Sequence, residues 1–180
     1  MIVLMSAFLL LSAFSCGGGN KANSTSEQSE ETAVNVPQFD ADSAYLYVKN
    51  QVDFGPRVPN TKEHVACGNY LAGQLEAFGA QVTNQYADLI AYDGTLLKAR
   101  NIIGSYKPES KKRIALFAHW DTRPWADNDA DSKNHHTPIL GANDGASGVG
   151  ALLEIARLVN KQQPELGIDI ILLDAEDYGA

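Results

Sequence analysis

Hydrophobic positions fall into three kinds of pattern along this chain, and each predicts a different element. Over residues 43–52, Ala44, Tyr45, Val48 and Val52 recur at helical spacing, which predicts an amphipathic helix. Gly68, Leu71, Leu75 and Phe78 predict a second helix, with Asn60 as its N-cap, Glu63 as the reciprocal partner and Gly79 as its terminator. A third helix is predicted over 147–161 from Val149, Leu152, Leu153, Ala156 and Val159. Residues 80–87 and 88–92 read as strands, Asp93-Gly94 as a turn, and 95–106 as a return strand. Two continuous apolar runs, 113–118 and 168–173, read as buried strands on either side of the third helix. Strand, helix, strand predicts a parallel crossover in an α/β fold, with a sheet covered on both faces. Punctuated by Gly and two prolines, the segment FGPRVPN (54–60) is a loop.

The ends of the chain behave differently. Residues 1–15 are almost entirely apolar, too short a run to span a bilayer and suited to a signal peptide. Cys16 follows Ser15 and precedes three glycines, so it is the expected lipidation site of a lipoprotein signal; cleavage of a plain secretory signal is the other reading. Residues 16–38 lack apolar periodicity and read as a flexible tether, and 39–180 as the folded part. The chain is expected to cross the inner membrane and to reside in the periplasm or at the cell surface. A lipid anchor is then its one membrane contact.

The formal net charge of -8 over 180 residues removes the basic stripe that a nucleic-acid binder needs. Cys16 and Cys67 lie in dissimilar contexts and read as unpaired; with no CxxC pair, a thiolate metal site is not expected.

Candidate chemistry lies where polar residues meet the strand ends. The first run closes in His119-Trp120-Asp121-Thr122-Arg123, the second in Asp174-Ala175-Glu176-Asp177, and the helix between them opens after GANDGASG (141–148). Ligands in open α/β sheets bind beyond the carboxyl ends of strands, so these three segments are expected to converge. One imidazole and several carboxylates without thiolates suit catalytic zinc. His119 and Asp121, two apart on an extended segment, allow Asp121 to orient the ring. Asp144 sits among small residues that permit close approach. Glu176 and Asp177 diverge, so one can bind metal while the other serves as general base. Taken singly, each has a blander reading: a satisfied histidine, a capping aspartate, a solvated strand end.

Together, HWD, GANDGASG and DAEDYG resemble the glutaminyl cyclase and zinc aminopeptidase family, and FGPRVPNT with HWDTRPWAD resembles its bacterial cyclase branch. The resemblance runs from about Phe39 to Ala180 and implies a three-layer α/β/α zinc-exopeptidase-like fold with a mixed, centrally parallel sheet, truncated at the C-terminus. It implies one or two Zn²⁺ ions, with His119, Asp144 and Asp177 as ligands. Glu176 is then the catalytic acid/base and Asp121 the orienting residue. An aspartate at 177, where the family often has glutamate, shortens that arm by a methylene. The family's further ligands, a histidine and an aspartate, fall beyond Ala180, so an N-terminal part of a catalytic domain is expected. The implied activity is glutaminyl-peptide cyclotransfer on a peptide N-terminus, with aminopeptidase action, or an inactive fragment or binding lipoprotein, as alternatives.

Other residues stay open at this level. Trp120 and Trp125 flank the site as pocket walls or as packing. Arg123 suits a substrate carboxylate or an ion pair. His64 reads as a surface or packing residue, and His135 and His136 as part of a solvated loop.

Overall fold

The computed structural model describes residues 35–179; Cys16, the apolar leader and most of the tether lie outside the described residues. The elements run α1 (Ala41–Val52), α2 (Lys62–Ala77), β1 (Gln81–Ile90), β2 (Leu96–Tyr106), β3 (Arg113–His119), α3 (Ala146–Lys161) and β4 (Gly167–Leu173), with one 3-10 turn at Ser132–Asn134. The strands form a mixed sheet in the order β1-β2-β4-β3. β1 and β2 are an antiparallel hairpin, β2 and β4 are antiparallel, and β3 and β4 are parallel, in register from Arg113 opposite Gly167 to His119 opposite Leu173.

Alternation along β4 sets the layering. Ile168, Ile170 and Leu172 are buried, whereas Asp169, Ile171 and Leu173 are only partly covered. The buried set shares one core with Ile102 and Tyr106 of β2, Leu71 and Leu75 of α2, Val149, Leu153 and Ala156 of α3, and Tyr47 of α1. Each aliphatic side chain enclosed there contributes roughly 1.5–3 kcal/mol. Thus α2 and α3 pack on one face of the sheet, and α1 packs against α3. The expected coverage of both faces is not found among the described residues: Phe117 on the opposite face is 58% exposed. The residues described supply the sheet and one helical layer.

Two expectations change at the level of elements. The separate strands at 80–87 and 88–92 are one continuous strand, β1. Thr61, not Asn60, caps α2, its side chain accepting from the His64 amide. Asn60 has φ 75 and spends its amide on β2, donating to the Leu96 carbonyl (2.9 Å) and accepting from the Lys98 amide (2.8 Å). Gly79, φ 80, ends α2 as expected.

Candidate active site

Parallel pairing brings the carboxyl ends of β3 and β4 side by side, and backbone bonds lace the loops that leave them. The Trp120 amide donates to the Leu173 carbonyl at 2.9 Å. Asp121, fully buried, accepts from the amides of Glu176 (3.3 Å) and Asp177 (3.0 Å), and Asp177 in turn accepts from the Arg123 amide at 2.9 Å. Ala175, φ 60, lies in the left-handed region and turns the β4 loop back toward β3. α3 starts at the same edge, so Asp144 arrives from the loop that precedes it.

The result is one imidazole ringed by acids. His119 Nε2 bonds Asp144 Oδ1 at 2.8 Å. Its Nδ1 is 3.6 Å from Asp121 Oδ1 and 3.8 Å from Glu176 Oε2, too long for hydrogen bonds but close for charges. That nitrogen is buried without a hydrogen-bond partner. The Asp144 and Glu176 side chains face solvent (66% and 62% exposed), while Asp177 is 13% exposed. Asp121, then Asp144 and Glu176, push His119 up to about 9. Burial, then the Asp144 and Asp121 charges, raise Asp177 above the usual carboxylate range. Both shifts mark excess negative charge that a cation would relieve.

Only glycine fits beside the imidazole at 145. A Cβ there would stand 2.8 Å from both Cε1 and Nδ1 of His119 and closer still to its carbonyl oxygen. The Asp144-Gly145 peptide bond is cis.

His119, Asp121, Asp144, Glu176 and Asp177 are therefore gathered at one edge. Among the described residues, no three His, Cys, Asp or Glu side chains stand ready-made around a metal position, and His119 and Asp144 bond to each other. The donor set still suits zinc: an imidazole whose Nε2 already meets one carboxylate, and a carboxyl at 177 raised by burial and then by the Asp144 and Asp121 charges.

Trp120 lines a cavity of about 180 Å³ with His64, Asn69, Tyr86 and Arg100, whose lining includes none of the acids around His119. Trp120 is fully buried, stacks on His64 at 4.3 Å and donates Nε1–H to the Arg100 carbonyl at 3.2 Å. Trp125 meets Tyr178 edge-on at 5.6 Å, and on its other side lines a cleft of about 460 Å³ with Tyr92, Asp127, His135 and His136. Arg123 takes the ion-pair role, forked onto Asp127 at 2.7 and 2.6 Å. His64 is a buried packing residue, its Nε2 2.9 Å from both oxygens of Asp174.

Sequence reasoning missed Arg57. It is fully buried in the FGPRVPN loop, and its guanidinium donates to the carbonyls of Trp120 (3.4 Å), Gly141 (2.9 Å) and Leu140. The available signal was an arginine held between two prolines, Pro56 and Pro59, in a loop.

An α/β protein with a His and Asp/Glu site at the carboxyl edge of paired parallel strands is the class that fold and site define. The model of peptidase family M28 matches residues 101–180. A solved glutaminyl cyclase of Bacteroides thetaiotaomicron, bound to N-acetylhistamine, is 96% identical over 81% of this chain and 50% of its own, with a TM-score of 0.81. A second structure from that organism, described as a leucine aminopeptidase precursor, is 96% identical over 82% of this chain and 51% of its own, also with a TM-score of 0.81. A Zn-dependent exopeptidase from Parabacteroides distasonis is 65% identical over 81% and 50% of the two chains, with a TM-score of 0.80. The chain belongs to the bacterial glutaminyl cyclase and M28 zinc exopeptidase family. It spans about half the length of these solved chains and 23–30% of the curated relatives it matches.

Proposed function

We propose that the protein works as a zinc-dependent glutaminyl-peptide cyclotransferase, converting an N-terminal Gln to pyroglutamate with release of ammonia. The observation that carries this is the position of Glu176: a solvent-facing carboxylate 3.8 Å from the His119 ring, beside Asp144 and Asp177. The 96% identity to a chain described as a glutaminyl cyclase supports it.

His119, Asp144 and Asp177 would hold the metal. When bound, zinc supplies Lewis-acid polarisation of the substrate's side-chain amide. Glu176 accepts a proton from the substrate α-amine as its nitrogen forms the bond to the side-chain carbonyl carbon. It then returns that proton to the departing ammonia as the carbon–nitrogen bond of the amide breaks. Asp121 holds the Glu176 and Asp177 amides, fixing where both carboxylates start. The partner is a peptide N-terminus.

Aminopeptidase action is the second reading, favoured by the equally similar chain described as a leucine aminopeptidase precursor. There Glu176 takes its proton from the attacking water. A glutaminyl dipeptide separates the readings. Ring closure with ammonia supports the cyclase, free amino acids support the peptidase, and neither supports an inactive or purely binding protein. Glu176→Gln should lower turnover by about 10²–10⁴-fold; a variant that kept most of its turnover would remove Glu176 from this role.

For location, the apolar residues 1–15 and Cys16 support an exported lipoprotein, anchored by its acyl chains at ~0.8 kcal/mol per buried methylene. Incorporation of labelled palmitate should vanish in Cys16→Ser; unchanged labelling would rule this anchor out.

A further inference from the structure

Arg57 stands outside the ring of acids yet touches the backbone of two of the segments that build it, the end of β3 and the loop before α3. It projects from the loop between α1 and α2 and is fully buried. Nε–H donates to the Trp120 carbonyl, one residue after His119 and one before Asp121. The two terminal nitrogens donate to Leu140 and Gly141, on the loop that carries Asp144. A weaker bond of 3.5 Å reaches back to Gly55, and the Arg57 carbonyl accepts from the Thr122 amide at 3.2 Å. Among the described residues, no carboxylate is bonded to this guanidinium. A buried cation satisfied by carbonyls alone is costly to enclose, so its value lies in what those carbonyls hold in place.

The Leu140–Gly145 segment needs such a hold. Gly141, φ 56, turns the chain, and the Ala146 amide returns to the Gly141 carbonyl at 3.2 Å, closing a small loop with Asp144 at its tip. The tip is exposed, and the Asp144 side chain makes one hydrogen bond, to His119. The position of Asp144 relative to His119 is thus set through the backbone, and the Arg57 fork joins the backbones of both.

We propose that Arg57 is a positioning residue that clamps the Asp144 loop to the carboxyl end of β3 and so holds Asp144 against His119. For metal binding, this rests on the reading that His119 and Asp144 are metal ligands. Lysine keeps the charge but not the planar fork, so it cannot serve Trp120, Leu140 and Gly141 together.

The test compares Arg57→Lys and Arg57→Met with the unmutated chain, using two readouts. The first needs no metal. The His119 Nε2–H proton, hydrogen-bonded to Asp144, should give a downfield NMR signal at low temperature in the metal-free chain. It should be weakened in Arg57→Lys and lost in Arg57→Met, with melting still cooperative. The second is affinity for Zn²⁺ alone. It should fall about 10–100-fold in Arg57→Met, as for other residues that support a ligand, and less in Arg57→Lys. An unchanged His119 signal together with unchanged Zn²⁺ affinity in the folded variants would overturn the proposal. If Arg57→Met does not fold, Arg57→Lys decides. Should neither fold, Arg57 serves the fold as a whole and the positioning role is overturned. Asp144→Asn keeps the two ideas apart: if it binds Zn²⁺ like the unmutated chain, the ligand reading fails, and the metal-free signal alone judges Arg57.

Discussion

Gly145 and His119 show how little room single residues have at this edge. A methyl group at 145 meets the imidazole at 2.8 Å, and the backbone carbonyl of His119 blocks retreat. Gly145→Ala should therefore displace the ring from Asp144 and weaken Zn²⁺ binding by at least about tenfold, an effect on the scale of losing a ligand-orienting group. Isothermal titration with Zn²⁺ measures this directly; wild-type affinity in the variant would show that the ring position does not matter. Cys67 represents the opposite case, a residue with chemistry but no access. Burial pushes its thiol up to about 12 and leaves it fully enclosed. It should resist a thiol-specific disulfide reagent at pH 8 and react fully in denaturant; fast labelling of the native chain would contradict this.

Residue identity was legible in sequence where alternation and local chemistry decide it. His119, Asp121, Asp144, Glu176 and Asp177 all end at one edge because strand ends and a helix start converge there. Trp120 turned inward for the same reason, since it alternates with His119 and Asp121. What stayed hidden depends on distant partners. Asn60 and Thr61 are both good caps, and only the long-range bonds of Asn60 to β2 leave Thr61 as the one that caps α2. Arg57 was hidden in the same way: three of its four carbonyl partners lie 63 to 84 residues away, and backbone carbonyls carry no side-chain signature.

At the level of elements, α1 is tied to α3 through one acid. Glu154, fully buried on α3, accepts from the Asp40 amide at the start of α1 (2.9 Å) and from both Arg157 nitrogens (2.6 and 2.5 Å). The Arg157 pair holds its carboxyl below the usual range. A depressed folded-state pKa stabilises the fold above the unfolded value, near 4.3, and this stabilisation is lost as pH falls through the lower folded value. Glu154→Gln should thus reduce stability at pH 7, with the deficit shrinking below about pH 4. Urea unfolding across pH checks it, and a deficit independent of pH would contradict it. The helical and strand periods made these elements readable to within a few residues. The β1–β2 hairpin and the parallel crossover from β3 to β4 were readable, but the antiparallel pairing of β2 with β4 was not, because hydrophobic period fixes which face of a strand is buried and not which neighbour it takes.

For the molecule as a whole, the described residues provide one helical layer, a sheet whose second face carries the exposed Phe117, and a site edge rich in acid. The central claim is that this edge holds a divalent cation beside Glu176. Crystals of the chain grown with Zn²⁺ and measured at the zinc absorption edge test it most directly. An anomalous peak about 2.0–2.2 Å from His119, Asp144 and Asp177 donor atoms, with the His119–Asp144 hydrogen bond opened, is the expected result. A peak elsewhere, or an intact His119–Asp144 bond in the presence of saturating Zn²⁺, would contradict it.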